Sequence, residues 1–493
     1  MKFDVLTTNA VDLQRLLAAG EITSVEIVET YLGQIERHES ELRAFISVAS
    51  RDALIESAAE LDRERRSGRI RGPLHGIPIV LKDNFITASK LGMGTTAGSW
   101  ALVGAKAPRN SAIAQLLIDN GLIILGKTNM TEFAGLKTTM MSPGWSAVRG
   151  QTISPYVGQI EQGETLLGHS SPGGSSTGSA VAVAAGFSPL AMGTETVGSI
   201  ITPASRAALY AIKPTVGLQN VDGLYTLSDF FDSPGPMSKC SQDTVILTEI
   251  LLGRRFRWEK SGGWGDLKVG FLDPDIWKMS DEICRQHEGT AEQMKRQYED
   301  VISRMREQGC FVKYPTVLTD VSELTVEGEE AVMPIAFWDF KNVSIPTFLD
   351  NFDECAVRSL EEIVKFNEER RDQCLPSPYT TQGDLVKALQ NTDKAETISR
   401  MKAGLRSVAR QFLDDVFGSE GLNIIAAPAD SSLCIHAAAA GYPIATVPLG
   451  QLAYNGRPFG LCMVAKANDE ETLLKFMSTY EEQLAIRRPV PDL

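Results

Sequence analysis

The run from Pro172 to Ile200 constrains this chain more than any other. It opens as Pro172-Gly-Gly-Ser-Ser-Thr-Gly-Ser179, continues through Ala180-Val-Ala-Val-Ala-Ala185, and ends in Gly193-Thr-Glu-Thr-Val-Gly-Ser-Ile200. Gly173 and Gly174 allow a backbone turn where a Cβ would clash. Ser179 to Ala185 are all small or β-branched, which predicts a helix buried tightly against a sheet. Thr194 to Ser199 then concentrates hydroxyls and backbone N–H groups around Gly198. Alone, such a run serves as a structural joint about as often as a site.

A second stretch changes those odds. Gly76-Ile-Pro-Ile-Val-Leu-Lys-Asp-Asn84 reads as an apolar strand ending in Lys82. A lysine at a sheet end is partly desolvated, and desolvation lowers its pKa toward the neutral amine that acts as a general base. The plainer alternative is a lysine snorkelling out from a strand end.

Together the two stretches resemble the amidase signature family. That family carries a G-[IV]-P-x-x-x-K-D pattern, then G-G-S-S-[GT]-G, then T-[DE]-T-x-G-S-[IV]. The matching residues here are Lys82, Ser175 and Ser199, and the serine separation, 199 − 175 = 24 residues, follows the family pattern. Pro203-Ala-Ser205, Lys213-Pro-Thr215, Asp232-Ser-Pro-Gly-Pro-Met237 and Ala440-Gly-Tyr-Pro-Ile444 match further. The resemblance runs from about Val11 to the C-terminus and is weakest between about Ser261 and Gly421.

The resemblance implies an α/β fold with one large mixed β-sheet covered by helices on both faces. It implies hydrolysis of a carboxylic amide by a Ser199–Ser175–Lys82 triad, with no metal and no cofactor. A serine hydroxyl is a poor nucleophile until a base takes its proton. Lys82 would take it through Ser175, and Ser199 would attack the carbonyl. By resemblance the Gly174–Ser175 bond is cis. The oxyanion would rest on the backbone N–H groups of Thr196, Val197, Gly198 and Ser199.

Two positions depart from the family. It often has Gly-Gly before the nucleophile, where this chain has Val197-Gly198; a β-branched residue resists positive φ, so ordinary backbone is expected at Val197. Many relatives have arginine two residues after the nucleophile, where this chain has Ile201. A cation there can hold a substrate carboxylate, so Ile201 points to a neutral or apolar small-molecule acyl group. Trp145, Tyr156 and Phe230 are the aromatics nearest the motifs and are candidates for the pocket wall or for core packing.

Composition excludes several other classes. A net charge of −14 argues against a nucleic-acid partner. The seven cysteines are scattered without a C-x-x-C pair, as in a reducing compartment. The N-terminus lacks a signal-peptide core, and no apolar run reaches the ~18 residues of a membrane span. A soluble, cytoplasmic protein is expected.

Within a single domain of 1–493, residues 1–70 read as a helical cover, with a homodimer interface as the second reading. Thr23-Ser-Val-Glu26 is a capping box, and Arg51 to Arg66 is an amphipathic helix. Residues 73–260 read as the catalytic core, with strands at Ile77–Leu81, Ile123–Leu125, Leu190–Met192 and Ala211–Ile212 and a helix at Ser111–Asp119. The polar loop between Trp145 and Ser171 is either a wall of the site or a surface excursion. A boundary falls at Trp258 to Trp264. The variable region 261–421 has a strand at Lys268–Phe271 and helices at Glu288–Gln308, Leu360–Arg371 and Thr397–Val416. Residues 422–493 return to the sheet at Ile424–Ala426, Ile444–Pro448 and Phe459–Val464, then close with a helix capped by Asn468-x-x-Glu471.

Other motif matches are weaker. Gly121-x-x-x-x-Gly126-Lys127-Thr128 fits a P-loop pattern, but its middle is Leu-Ile-Ile-Leu, a buried strand rather than a pliable phosphate cradle. Gly174-x-Ser176-x-Gly178 fits a nucleophile elbow, which needs a histidine base; His436 is the one serious candidate. Gly92-x-Gly94-x-x-Ala97 follows no clear strand. No cluster has metal-ligand spacing. The sequence therefore reads as an amidase. The alternatives are the amidase component of a glutamine-dependent tRNA amidotransferase, which works with a partner chain, and a catalytically silent binding protein.

Overall fold

The computed structural model describes residues 2–257 and 263–493. The boundary expected at Trp258 to Trp264 falls largely on 258–262, outside the described residues. The strands in chain order are β1 (Phe45–Val48), β2 (Pro78–Lys82), β3 (Ile123–Thr128), β4 (Trp145–Ser146), β5 (Gly150–Gln151), β6 (Leu190–Glu195), β7 (Tyr210–Lys213), β8 (Ser233–Ser238), β9 (Lys268–Leu272) and β10 (Phe311–Thr316). They continue as β11 (Thr325–Val326), β12 (Glu329–Glu330), β13 (Ile424–Pro428), β14 (Ile444–Gln451) and β15 (Pro458–Val464).

Eleven of them form one sheet in the order β1-β3-β2-β6-β8-β7-β14-β15-β13-β9-β10. It is mixed. β2 runs parallel to β3 and β6, and β9 runs parallel to β13 and β10. The strands from β6 through β8, β7, β14 and β15 to β13 are antiparallel.

Alternation along the strands explains why both faces are covered. Ala211, Ile425, Ala427, Cys462 and Val464 join one apolar cluster, with the helices Ser24–Leu42, Thr177–Ala184 and Ala395–Ser419. Tyr210, Ile212, Ile424, Ala426, Leu461 and Met463 face the other way, against Thr290–Glu307 and Glu470–Leu484. Each fully buried large side chain contributes about 1.5–3 kcal/mol. A third cluster packs Phe340, Phe348 and Ile363 of the variable region onto Phe133 and Tyr225 of the core.

Most expected elements are present, with shifted ends. The Thr23/Glu26 capping box forms, and Ser111 caps Ala112–Asp119. The expected helix Leu360–Arg371 stops at Glu369, where Arg370 leaves helical geometry and a separate turn, Arg371–Cys374, begins. The last helix is capped by Asp469, whose carboxylate accepts from Thr472 N–H, and not by Asn468, which takes a positive φ of 66°. The N-terminal region also supplies β1, an edge strand that a purely helical reading leaves out. The P-loop match is β3, with Lys127 buried on Asp83 at 3.2 Å. Among the described residues no helix is long and apolar enough to cross a membrane.

Candidate active site

Parallel pairing of β2 with β6 brings the ends of two motifs side by side. Lys82 is the last residue of β2, and Thr194 and Glu195 are the last of β6. The helix Thr177–Ala184, entirely buried, delivers Ser175 and Ser176 at its N-terminal end. The structure thus joins the three motif residues in one line. Lys82 Nζ lies 2.8 Å from Ser175 Oγ, and Ser175 Oγ lies 3.0 Å from Ser199 Oγ.

The rest of the lysine's surroundings fixes how its amine is oriented. Nζ also donates to Thr194 Oγ1 at 2.9 Å and to Thr194 O at 3.2 Å. A neutral amine has two N–H bonds and one lone pair. As an ammonium, Nζ donates to Ser175 Oγ as well; in the neutral amine, with Thr194 accepting both N–H bonds, the lone pair is left facing the Ser175 hydroxyl. Asn84 holds Thr194 Oγ1 from the other side at 3.0 Å and is itself fixed by Tyr225 O at 2.8 Å. Lys82 is wholly buried, and burial lowers its pKa to about 7; the charges of Asp232 and Glu195 oppose that shift. Near neutral pH the amine is therefore available as a base.

The turn around Ser175 is enclosed. The Gly174–Ser175 bond is cis. A Cβ on Gly174 would meet Thr131 Oγ1 and Thr177 Oγ1 at 2.8 Å and Pro143 at 2.9 Å, so only glycine fits. Ser175 O accepts from Thr131 N–H, and Ser176 N–H donates to Ser199 O, both at 3.1 Å. Ser176 Oγ donates to Thr194 O at 3.0 Å and accepts from Thr194 N–H at 3.2 Å. That hydroxyl is a structural tie, which removes the elbow reading. His436 packs between the rings of Trp277 and Phe412.

Two buried carboxyl groups bracket the loop before Ser199. Glu195 accepts from Ile200 N–H at 2.7 Å and Ile201 N–H at 2.8 Å, and Gly198 N–H leans on the same group. Burial raises the Glu195 pKa against those bonds. Antiparallel pairing of Glu195 with Ser233 puts Asp232 across from Thr196. Asp232 accepts from Leu227 N–H at 2.6 Å, and burial pushes its pKa up to about 6. Gly198, not Val197, takes the left-handed conformation, with φ 75°. Among the described residues, none accepts from the N–H groups of Thr196, Val197 or Ser199. Those three N–H groups are free, whereas Gly198 N–H is partly claimed by Glu195.

The expected pocket residues scatter. Trp145 opens the β4–β5 hairpin beside Gly144, whose N–H donates to Thr131 Oγ1, and the indole ring meets Tyr379 at 4.7 Å. Phe230 is half-buried under the Arg406 guanidinium, 3.9 Å from its ring centre, two residues from Asp232. Tyr156 turns away, its hydroxyl donating toward Ala207 O and Pro489 O at 3.3 and 3.1 Å. Ile201 belongs to the main apolar cluster and is closed to solvent, in the core rather than on an open wall. Thr194 and Asn84 carry roles that the sequence reading did not assign. The T-[DE]-T match pointed at Thr194; nothing in the sequence singled out Asn84 beyond its place two residues after Lys82.

Comparison with known proteins places the chain in a family. The amidase family model matches residues 26–474. A putative amidase of Schizosaccharomyces pombe is 30% identical over 96% of this chain and 84% of its own length. The crystal structure of native peptide amidase from Stenotrophomonas maltophilia superposes with a TM-score of 0.85 at 31% identity, covering 99% of this chain and 98% of that one. A glutamyl-tRNA(Gln) amidotransferase component from Symbiobacterium thermophilum is 41% identical over 50% of this chain and 46% of its own length. The chain belongs to the amidase family, has its α/β fold, and is an amide hydrolase.

Proposed function

We propose that this enzyme hydrolyses the amide of a neutral or apolar acyl group through an acyl-enzyme on Ser199. The observation that carries the reading is the unbroken line from Lys82 Nζ through Ser175 Oγ to Ser199 Oγ, at 2.8 and 3.0 Å. Ser199 gives its proton to Ser175 as it attacks the carbonyl carbon, and Ser175 passes its own proton to neutral Lys82. The carbonyl oxygen becomes an oxyanion held by the N–H groups of Thr196, Val197 and Ser199. The proton returns through Ser175 to the leaving nitrogen, and the amine departs. Water, deprotonated along the same line, then attacks the acyl carbon and frees Ser199.

Acyl preference follows from the charges near Ser199. Ile201 lies in the core and lines no open wall, while Arg406, the guanidinium over Phe230, already donates to Ala438 O at 3.0 Å and Ala439 O at 2.8 Å, and to Phe230 O. A buried substrate carboxylate without a partner faces a large desolvation cost. The test compares kcat/KM for two amides differing only in a terminal methyl or carboxylate. The methyl member should win; a faster carboxylated member would mean that another cation serves the site. Amides of apolar peptides belong in the same panel, given the likeness to a peptide amidase. The partial likeness to an amidotransferase component supports a second reading, in which ammonia from glutamine passes to a partner. Glutaminase activity of the purified chain exceeding its activity on apolar amides would favour that reading.

A further inference from the structure

We propose that Arg206 is a positioning residue for amide hydrolysis, holding the loop that leads into Ser175 against the helix that follows Ser199. The inference rests on the catalytic reading of those two serines. Arg206 ends the helix Ile201–Arg206, 206 − 199 = 7 residues beyond Ser199, and its side chain is wholly buried. Its guanidinium donates to Leu167 O and Gly168 O at 2.7 Å and to Ser171 O at 2.9 Å. Those carbonyls belong to the segment that runs directly into Gly173-Gly174-Ser175. Ser171 continues the chain of contacts, because its Oγ accepts from Gly173 N–H at 3.3 Å. One side chain rooted beside the nucleophile thus grips the approach to the relay serine. The relay line tolerates little drift, since a hydroxyl-to-hydroxyl bond weakens steeply outside its normal range.

A second arginine supports the same loop. Arg206 Nε donates to Asp430 Oδ1 at 3.1 Å, and Arg457 Nη1 donates to Asp430 Oδ2 at 2.9 Å. Arg457 Nη2 meets His169 Nδ1 at 3.0 Å, so that nitrogen accepts and the ring is neutral. Burial and the two guanidiniums keep His169 neutral, with a pKa of about 4. Two guanidiniums sharing one carboxylate have a useful consequence. Loss of Arg206 leaves Asp430 paired with Arg457, so no buried carboxylate is stranded. What is lost is the grip on three backbone carbonyls.

The test uses Arg206→Met, Arg206→Lys and Arg457→Met in the full-length enzyme. The readouts are kcat, KM, Tm and the rate at which a small fluorophosphonate labels Ser199. Arg206→Met should lose about tenfold or more in both kcat and labelling rate, with KM changed far less, as expected when reacting atoms are misplaced. Arg206→Lys, which keeps a donor, should recover part of the loss and stands in if the methionine variant does not fold. Arg457→Met, which holds the loop only through His169, should lose stability without a matching loss of kcat. Wild-type labelling rates in folded Arg206→Met overturn the proposal. So do kcat losses that simply track Tm across all three variants. Absence of Ser199 labelling in the wild-type enzyme would instead overturn the underlying catalytic reading.

Discussion

Acid should silence this enzyme through Lys82. Burial moves its pKa from 10.5 to about 7. Burial thus disfavours the ammonium form against the neutral amine. The proposed base is the neutral amine, so activity rises with pH through this pKa and levels off above it. About a tenth of the enzyme is competent at pH 6 and about nine-tenths at pH 8, which gives roughly a tenfold rise in kcat/KM. Asp232 and Glu195 act in the opposite direction to burial, raising the lysine pKa by their charges. Asp232 has a pKa of about 6, so it is ionised over most of the rising limb. Asp232→Asn removes that charge, lowers the Lys82 pKa, and moves the limb toward lower pH. The assay is a kcat/KM profile on a neutral amide at constant ionic strength, for the wild-type and Asp232→Asn enzymes. A limb that stays in place or moves upward in Asp232→Asn refutes the electrostatic argument. An unchanged limb in the residual activity of Lys82→Ala refutes Lys82 as the base.

The remaining contacts give sharper local expectations. Thr194→Val keeps the shape but removes the hydroxyl that accepts from Lys82 and Asn84; kcat should fall about tenfold to a hundredfold with KM nearly unchanged, and a fall under about twofold would show that the carbonyl alone orients the amine. Ser175→Ala breaks the relay and should reduce kcat about 10²–10⁴-fold, checked by steady-state kinetics on the same amide. Lys127→Met strands Asp83 in the interior and should destabilise by about 3–5 kcal/mol, read from denaturant unfolding. No loss of nucleotide affinity should accompany it, because the P-loop-like pattern is a strand.

The parts that were legible in the sequence are those written in local chemistry. Lys82, Ser175 and Ser199 stand in short motifs whose glycines and hydroxyls have few other uses, and the structure brings them together. Apolar runs such as Ile444–Pro448 announced buried strands because both faces of the sheet are covered. β8 was not legible as a strand, because Ser233-Pro-Gly-Pro-Met-Ser238 carries two prolines. It is held by antiparallel pairing with β6 along its whole length, while β7 meets only Met237 and Ser238, beyond both prolines. β1 was hidden between helices and is defined by its pairing with β3, a contact across about 80 residues. Ile201 lies close to Ser199 in sequence, but the helix that starts there turns its side chain into the core. Arg206 carried no local signal, since its partners lie at Leu167–Ser171 and Asp430.

The most direct measurement is peptide mass mapping of the enzyme after reaction with a serine-directed fluorophosphonate. The account predicts a single adduct on Ser199, slower to form in Ser175→Ala and Lys82→Ala, and absent from Ser199→Ala together with hydrolysis of the amide. An adduct on Ser176, or undiminished amide turnover by pure Ser199→Ala enzyme, would contradict it.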